Sequence, residues 1–386
     1  MSRKLEITNQ TVVEGYDRKT GWFQPRIAWL EPNSALLTMS RNQLWGSDIF
    51  MAIHTMHSDD GGATWSTPQP QARMDRHTYS DGYEVCPCDM TPALHAASGK
   101  VLATGHTAVY KPLDRGGELS TDNTHGRDVC YAVYDPATRE WDEWQIMDLP
   151  DKDFFYWIGA GCSQRVDLDD GTILLPIYGC SRNGIGGNAW RACYFSTVAR
   201  VAFDGKKLTY ISHGDVLSIP DPRGFCEPSL TFYQGEYYFT LRNDLRAYIT
   251  RSKDGLHFEK PIPWLFDDGS ELGSYNTQQR WVTHQDGLYL SYTRSGANND
   301  EVIRHRAPLF IARIDPERLT VMRDTEQILV PNRGAQLGNF GAVNVSDQES
   351  WVMTSECMLG DAKEPFNLDL TEKRGANNRV IIAKIR

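Results

Sequence analysis

Apolar residues in this chain come in short alternating runs, and the helical spacing of three to four is almost absent. The runs follow a recurring template of an apolar strand, a turn carrying Gly, Asp or Asn, and a second apolar strand. It appears as PRIAWLEPNSALLTMS, TPALHAASGKVLATG, CSQRVDLDDGTILLPIYG, PSLTFYQGEYYFTLR, QRWVTHQDGLYLSYT and GAVNVSDQESWVMTSE. Six copies in 386 residues give about 64 residues each. A further strand candidate follows each copy: IFMAIHTMHS, RDVCYAVYDP, YFSTVARVAFD, RAYITRSKDG, LFIARIDPERL and NRVIIAKIR. Four antiparallel strands per repeat, arranged radially, make the blades of a β-propeller, which leaves only short protected edges. The pattern therefore predicts an all-β, six-bladed propeller of four-stranded blades forming one domain over residues 1–386. KLEITNQTVVE would add the outer strand of the last blade and close the ring. Seven blades is the competing count, because the stretch from Lys111 to Asp153 is long and hard to divide.

Composition narrows the classes. With 40% hydrophobic and 23% charged residues, and no run near the ~18 to 20 apolar residues of a membrane helix, transmembrane and disordered classes are excluded. Lys and Arg total 40 against 50 Asp and Glu, and they are dispersed, so a nucleic-acid face is not expected. The start MSRKLEITNQ lacks an apolar leader, which reads as cytoplasmic, or as secreted if a leader precedes the chain. Eight scattered cysteines in a chain able to bury a core without staples read as free thiols. Cys86, Cys88 and His95 lack the second pair that zinc spacing requires, so neither metal nor cofactor is expected.

HSDDGGATWS, with Ser58, Asp60, Gly62, Thr64 and Trp65, and RSKDGLHFE, with Ser252, Asp254, Gly255 and Phe258, resemble the Asp-box turn of sialidase propellers. That turn is a folding device, so Asp60 and Asp254 are not catalytic candidates. Over nearly its whole length the chain resembles the sialidase superfamily. PRIAWLEPNSALLTMSR is similar to the family's Arg-Ile-Pro opening, with Ala28 at the Pro, and the resemblance implies that Arg26 is the first of three arginines clamping a sugar carboxylate. GFCEPSLTFYQGEYYFTLRND resembles the fourth blade, which implies Glu227 as the glutamate assisting the nucleophile and Arg242 as the second clamp arginine. RHRAPLFIARID resembles the segment of the third, with Arg306 the closer fit and Arg304 the alternate. Glu356 falls where the family has a glutamate orienting the first arginine. The family's nucleophilic tyrosine falls on Phe340, sixteen residues before Glu356, and phenylalanine carries no nucleophile.

Propeller geometry points to the same residues independently. Those entering the innermost strands and those ending the returning strands meet at one end of the central channel. Arg26, Asp89, Glu227 and Gln278 enter; Arg41, His106, Arg242 and Glu356 end. Three arginines near one axis are costly to desolvate unless offset, and an anionic ligand beside Glu227 and Glu356 would offset them. The competing reading makes Arg26, Arg242 and Arg306 separate rim salt bridges. Asp48, after Arg41 on the loop where sialidases keep an aspartate, and Asp89 are acid candidates. His106 is the most pocket-like of the histidines, and Tyr275 could reach the pocket from the next blade. Trp22, Trp45 and Trp157 are candidate stacking surfaces for a sugar.

Three functions fit. The leading one is an exo-acting glycosidase releasing a terminal acidic sugar such as sialic acid, with Asp48 as proton donor and Tyr275, or water activated by Glu227, as attacking group. The second is a uronate lyase with His106 or Tyr275 as base, and the third a non-catalytic binder of acidic glycans. In each the partner is an acidic glycan or small acidic sugar, with neither nucleic acid nor membrane; oligomeric state is left open.

Overall fold

Six antiparallel sheets succeed one another along the chain in the computed structural model, which describes residues 4–30, 32–46, 48–121, 124–186, 188–360, 363–365 and 367–386. Blade 1 is built from Thr20–Leu30, Ser34–Gln43, Ile49–Ser58 and Gln69–Pro70. Blade 2 uses Glu84–His95, Lys100–Tyr110 and Val129–Asp135, with short outer strands after Asp135. Blade 3 splits its inner strand into Trp157–Gly159 and Val166–Asp167, both paired with Thr172–Cys180, and continues through Phe195–Phe203 and Leu208–His213. Blade 4 runs Cys226–Tyr233, Glu236–Arg242, Tyr248–Ser252 and Ile262–Pro263. Blade 5 runs Arg280–His284, Gly287–Tyr292, Leu309–Asp315 and the outer strands beyond it. Blade 6 runs Gly341–Ser346, Glu349–Ser355 and Val380–Ile385, and Ile7–Val13 pairs with the last of these from the N-terminal side. The ring is closed as the alternation implied, with six blades. The long stretch after Lys111 belongs to blade 2 and its loops. Among the described residues the one α-helix is Leu368–Lys373, and none is long and apolar enough to cross a membrane.

Alternating apolar positions point into wedges between neighbouring blades. Leu36 and Ile53 of blade 1 pack on Val85 and Val101 of blade 2. Leu102 and Val129 of blade 2 pack on Leu175 and Val201 of blade 3, and Leu37 of blade 1 meets Trp351 and Ile382 of blade 6. Each large side chain so buried contributes about 1.5 to 3 kcal/mol, so the wedges hold the ring together. The Ser58–Trp65 turn joins blades 1 and 6. Ser58 Oγ donates to Asp60 at 2.9 Å, and the Gly62 and Thr64 amides donate to Ser58 Oγ and Asp60 Oδ1 at 2.8 and 2.9 Å. Gly62 has φ +75°, and a Cβ there would lie 2.2 Å from the Trp351 ring. Gly62→Ala is therefore expected to destabilise the protein by about 2 kcal/mol or more in thermal denaturation, through both strain and overlap; an unchanged melting temperature would contradict this.

One irregularity repeats around the axis. Gln24, Asp89, Cys162, Glu227 and Asn339 all have positive φ, between 41° and 59°, where the inner segments of blades 1, 2, 3, 4 and 6 reach the channel. In blades 1, 2 and 4 the ladder register shifts at the same points. A bulge re-aims a side chain that regular alternation would send into a wedge. By this device polar side chains from distant parts of the chain converge on the axis.

Candidate functional site

At that end of the channel lies a cavity of about 800 Å3. Of the residues singled out from sequence, Asp48, Asp89, His106, Glu227, Arg242, Arg304 and Arg306 line it. Trp45, half exposed, and Trp157 also line it, whereas Trp22 packs between blades 1 and 6. Sequence reasoning missed Arg127, Tyr178, Arg223 and Asp244, which line it too.

Blade 4 supplies the centre. Arg242, at the end of its strand, forms an ion pair with Glu227 and donates to Asn276 Oδ1 at 2.7 Å, with Asp244 at 3.3 Å. Arg306 donates to the Asn276 carbonyl. Burial works against ionisation of Glu227, but Arg242, aided by Arg306 and Arg223, outweighs it and holds the carboxyl at about 2. Burial first, then the neighbouring Arg242 and Arg304, push Arg306 down to about 9. The guanidiniums are thus crowded beyond what Glu227 offsets.

Blade 2 supplies a second polar centre. Asp89 Oδ1 accepts a hydrogen bond from Cys162 Sγ at 2.9 Å, and its other oxygen lies 3.8 Å from His106 Nε2. Burial, reinforced by the charge of Glu227, pushes the Asp89 carboxyl up to about 6. Burial and Arg127 hold His106 well below the ordinary histidine value, so it is neutral at pH 7. The ring packs closely on Gly161, where a Cβ would stand 1.9 Å from His106 Nδ1. Asp48 reaches the cavity from the loop before Ile49–Ser58, where Tyr110 OH donates to its carbonyl at 2.8 Å and accepts the Phe50 amide at 2.9 Å.

Cys88, Asp89 and His106 place a donor atom each within 4.8 Å of one another, a spacing that suits a cation. Against that, Arg127 lies close enough to bias His106, and burial keeps the Cys88 thiol protonated. The trio considered from sequence does not form: His95 lies at the far end of its strand, bonded to Ser98. All eight cysteines are free.

Besides Trp22, five of the site residues read from sequence do not line the cavity. Arg26 does not line the cavity; it lies beneath it, wholly buried, donating to the Pro25 and Asn339 carbonyls and to Cys162 Sγ. Arg41 does not line the cavity; its guanidinium lies 4.2 Å over Trp22 and is bonded to Thr20. Its strand register puts it opposite Trp22, on the face turned to blade 6. Tyr275 points to His305, with a 2.6 Å bond from its hydroxyl to Nδ1. Glu356 is buried against Arg379, with Arg333 at 3.8 Å, and it does not touch Arg26. Gln278, also read as channel-lining, is buried and donates to the Phe340 carbonyl. The Phe340 ring itself packs in the wedge between blades 5 and 6. Beneath the cavity Arg280, fully buried, also donates to that carbonyl; burial, then Arg26, lowers it to about 9.

No family model matches the sequence, and no curated protein does. Solved structures do match in shape. A protein of unknown function from Dyadobacter fermentans aligns over 98% of this chain and 99% of its own, at 15% identity and a TM-score of 0.64. A Hadza microbial sialidase aligns over 97% of this chain and 68% of its own, at 12% identity and a TM-score of 0.64. Trypanosoma rangeli sialidase aligns over 100% of this chain at 11% identity and a TM-score of 0.59. The fold is that of the sialidase propellers. This sialidase-fold chain spans 60% of the length of the T. rangeli enzyme, and such identities speak to fold alone.

Proposed function

We propose that the protein is an exo-acting glycosidase that removes a terminal acidic sugar from a glycan. One observation carries the reading: a single cavity holds two buried carboxyls with affinities for protons pushed apart, Asp89 at about 6 and Glu227 at about 2, beside the guanidiniums of Arg223, Arg242, Arg304 and Arg306. Such a split marks one group as proton donor and the other as a fixed charge. In this reading Arg223, Arg242 and Arg306 take the sugar carboxylate, each charge-assisted contact adding about 1.5 to 3 kcal/mol. Glu227 holds Arg242 in place and is too strongly ionised to act as a base. Asp89 protonates the leaving oxygen, and Asp48 orients the attacking water at an oxocarbenium-like centre. Trp45 offers a stacking face at the mouth.

With Phe340 in the core and Tyr275 bonded to His305, attack by water replaces attack by a phenol. Tyr275→Phe is accordingly expected to leave turnover within about threefold of wild type, as for a surface change away from the reacting atoms. A loss of orders of magnitude would restore Tyr275 as nucleophile.

A second reading has its own support. Guanidiniums on a uronate carboxylate acidify the adjacent C–H, and His106 is neutral and so able to accept a proton, although burial and Arg127 make it a weak base. Incubation with sialosides and uronate-capped glycans separates the cases. Hydrolysis releases sugar without an unsaturated chromophore, elimination generates that chromophore, and a binder gives only ligand-dependent thermal stabilisation. Release of the acidic sugar without the chromophore supports the glycosidase; either other result overturns it.

A further inference from the structure

Resting on the acidic-sugar reading, we propose that the ligand carries a second anionic group, held by Arg127 where blades 2 and 3 meet the cavity. Arg127 lies two residues before the Val129–Asp135 strand of blade 2, and Arg306 three residues before the Leu309–Asp315 strand of blade 5. In a ring of six, blades 2 and 5 face each other across the axis. Both arginines line the same cavity. The Arg127 guanidinium itself packs on blade 3 and shares the Tyr194 ring with Arg223, so a ligand anchored by one anionic group on Arg223, Arg242 and Arg306 meets Arg127 within the same cavity.

The surroundings of Arg127 differ from those of Arg242, Arg223 and Lys111. Arg242 has Glu227 and Asp244, Arg223 has Asp244 at 3.9 Å, and Lys111 has Glu118 at 2.7 Å. Among the described residues no carboxylate pairs with Arg127, although it is only 8% exposed. Its Nη2 donates to the Tyr178 carbonyl at 3.1 Å, and its buried Nε has no partner. Tyr178, Tyr194 and Trp157 surround the guanidinium, with ring centroids at 4.7, 5.6 and 5.7 Å. Aromatic faces hold a cation in place without neutralising it. A buried guanidinium with an unmade hydrogen bond is costly unless an anion completes it. The five cavity arginines are more than one carboxylate requires, since Arg223, Arg242 and Arg306 already supply its fork-shaped donors.

The substrate class that fits is a doubly anionic sugar, with a carboxylate at one end and a second carboxylate or a sulfate ester across it. Calorimetric titration with glucuronate, glucarate and a ring-sulfated glucuronate tests this and separates the two sources of charge. Wild type is expected to bind at least one of the doubly anionic sugars roughly tenfold or more tighter than glucuronate, the gain from one charge-assisted contact. Arg127→Met is expected to abolish that preference. Arg127→Lys, which keeps the charge without the planar fork, is expected to lose most of it and serves if the Met variant does not fold. Equal affinity for singly and doubly charged sugars in wild type, or a preference that survives both substitutions, overturns the second anion site while leaving the glycosidase reading standing. Failure of all three sugars to bind overturns the second anion site and, joined to no turnover of sialosides or uronides, the glycosidase reading as well.

Discussion

Asp89→Asn is expected to lower turnover of an acidic glycoside by roughly a hundred- to ten-thousand-fold, the range for removal of a positioned proton donor. It should also make the folded protein more stable at neutral pH. Burial raises the Asp89 carboxyl from an ordinary 3.8 to about 6, so the folded chain holds that proton more tightly than the unfolded one. Stability is therefore lost as pH rises from about 4 to about 6 and stays lost above; the amide, which never ionises, avoids that loss. The linkage amounts to roughly 3 kcal/mol at pH 7 and vanishes below the unfolded value. For wild type, activity that needs the protonated carboxyl falls as pH rises through about 6. Thermal denaturation at pH 4 and 7, together with a rate profile, checks both halves. A variant that is inactive but no more stable at pH 7 than at pH 4, relative to wild type, would remove the buried-acid explanation.

The second large effect separates two neighbouring arginines. Arg306→Met removes a buried cation crowded by Arg242 and Arg304, whose ordinary affinity for its proton is lowered to about 9, so the melting temperature is expected to stay level or rise. Arg242→Met instead strands Glu227, buried and ionised, without its partner, and loss of one member of such a pair costs about 3 to 5 kcal/mol. Both changes are expected to abolish most activity on acidic substrates. Equal destabilisation by the two, or activity within a few-fold of wild type in either, would return these arginines to a structural role.

The propeller was legible because blade packing imposes a period of two on every strand, and IFMAIHTMHS or NRVIIAKIR displays it directly. Even the closure by residues before Gly15 followed from an unpaired strand at each end of the chain. The site was legible only in part, and the bulges explain why. Nothing in CPCDMTP or FCEPSL marks Asp89 or Glu227 as a residue with positive φ, yet that conformation is what turns each into the cavity. Alternation alone misplaced Arg26 and Arg41, which lie close to the inner strands without facing the cavity. Arg127 and Arg223 were overlooked for a different reason. Attention fell on the inner and returning strands, whereas third strands also begin at the cavity end; Arg306, singled out by resemblance alone, precedes blade 5's third strand as Arg127 precedes that of blade 2. Glu356 was misassigned because its true partners, Arg379 and Arg333, are set by the chain's return after the short helix at Leu368–Lys373.

The most direct test of the central claim is the ratio of kcat/KM for a pair of glycosides that differ only in a carboxylate, such as 4-nitrophenyl glucuronide and glucoside, extended to a sialoside and measured from pH 4 to pH 9. Guanidinium recognition of the carboxylate and a donor near pH 6 together require turnover of an acidic member alone, with a rate that declines above about pH 6. Equal turnover of the neutral glycoside, or none on any acidic glycoside by a folded protein, would contradict it.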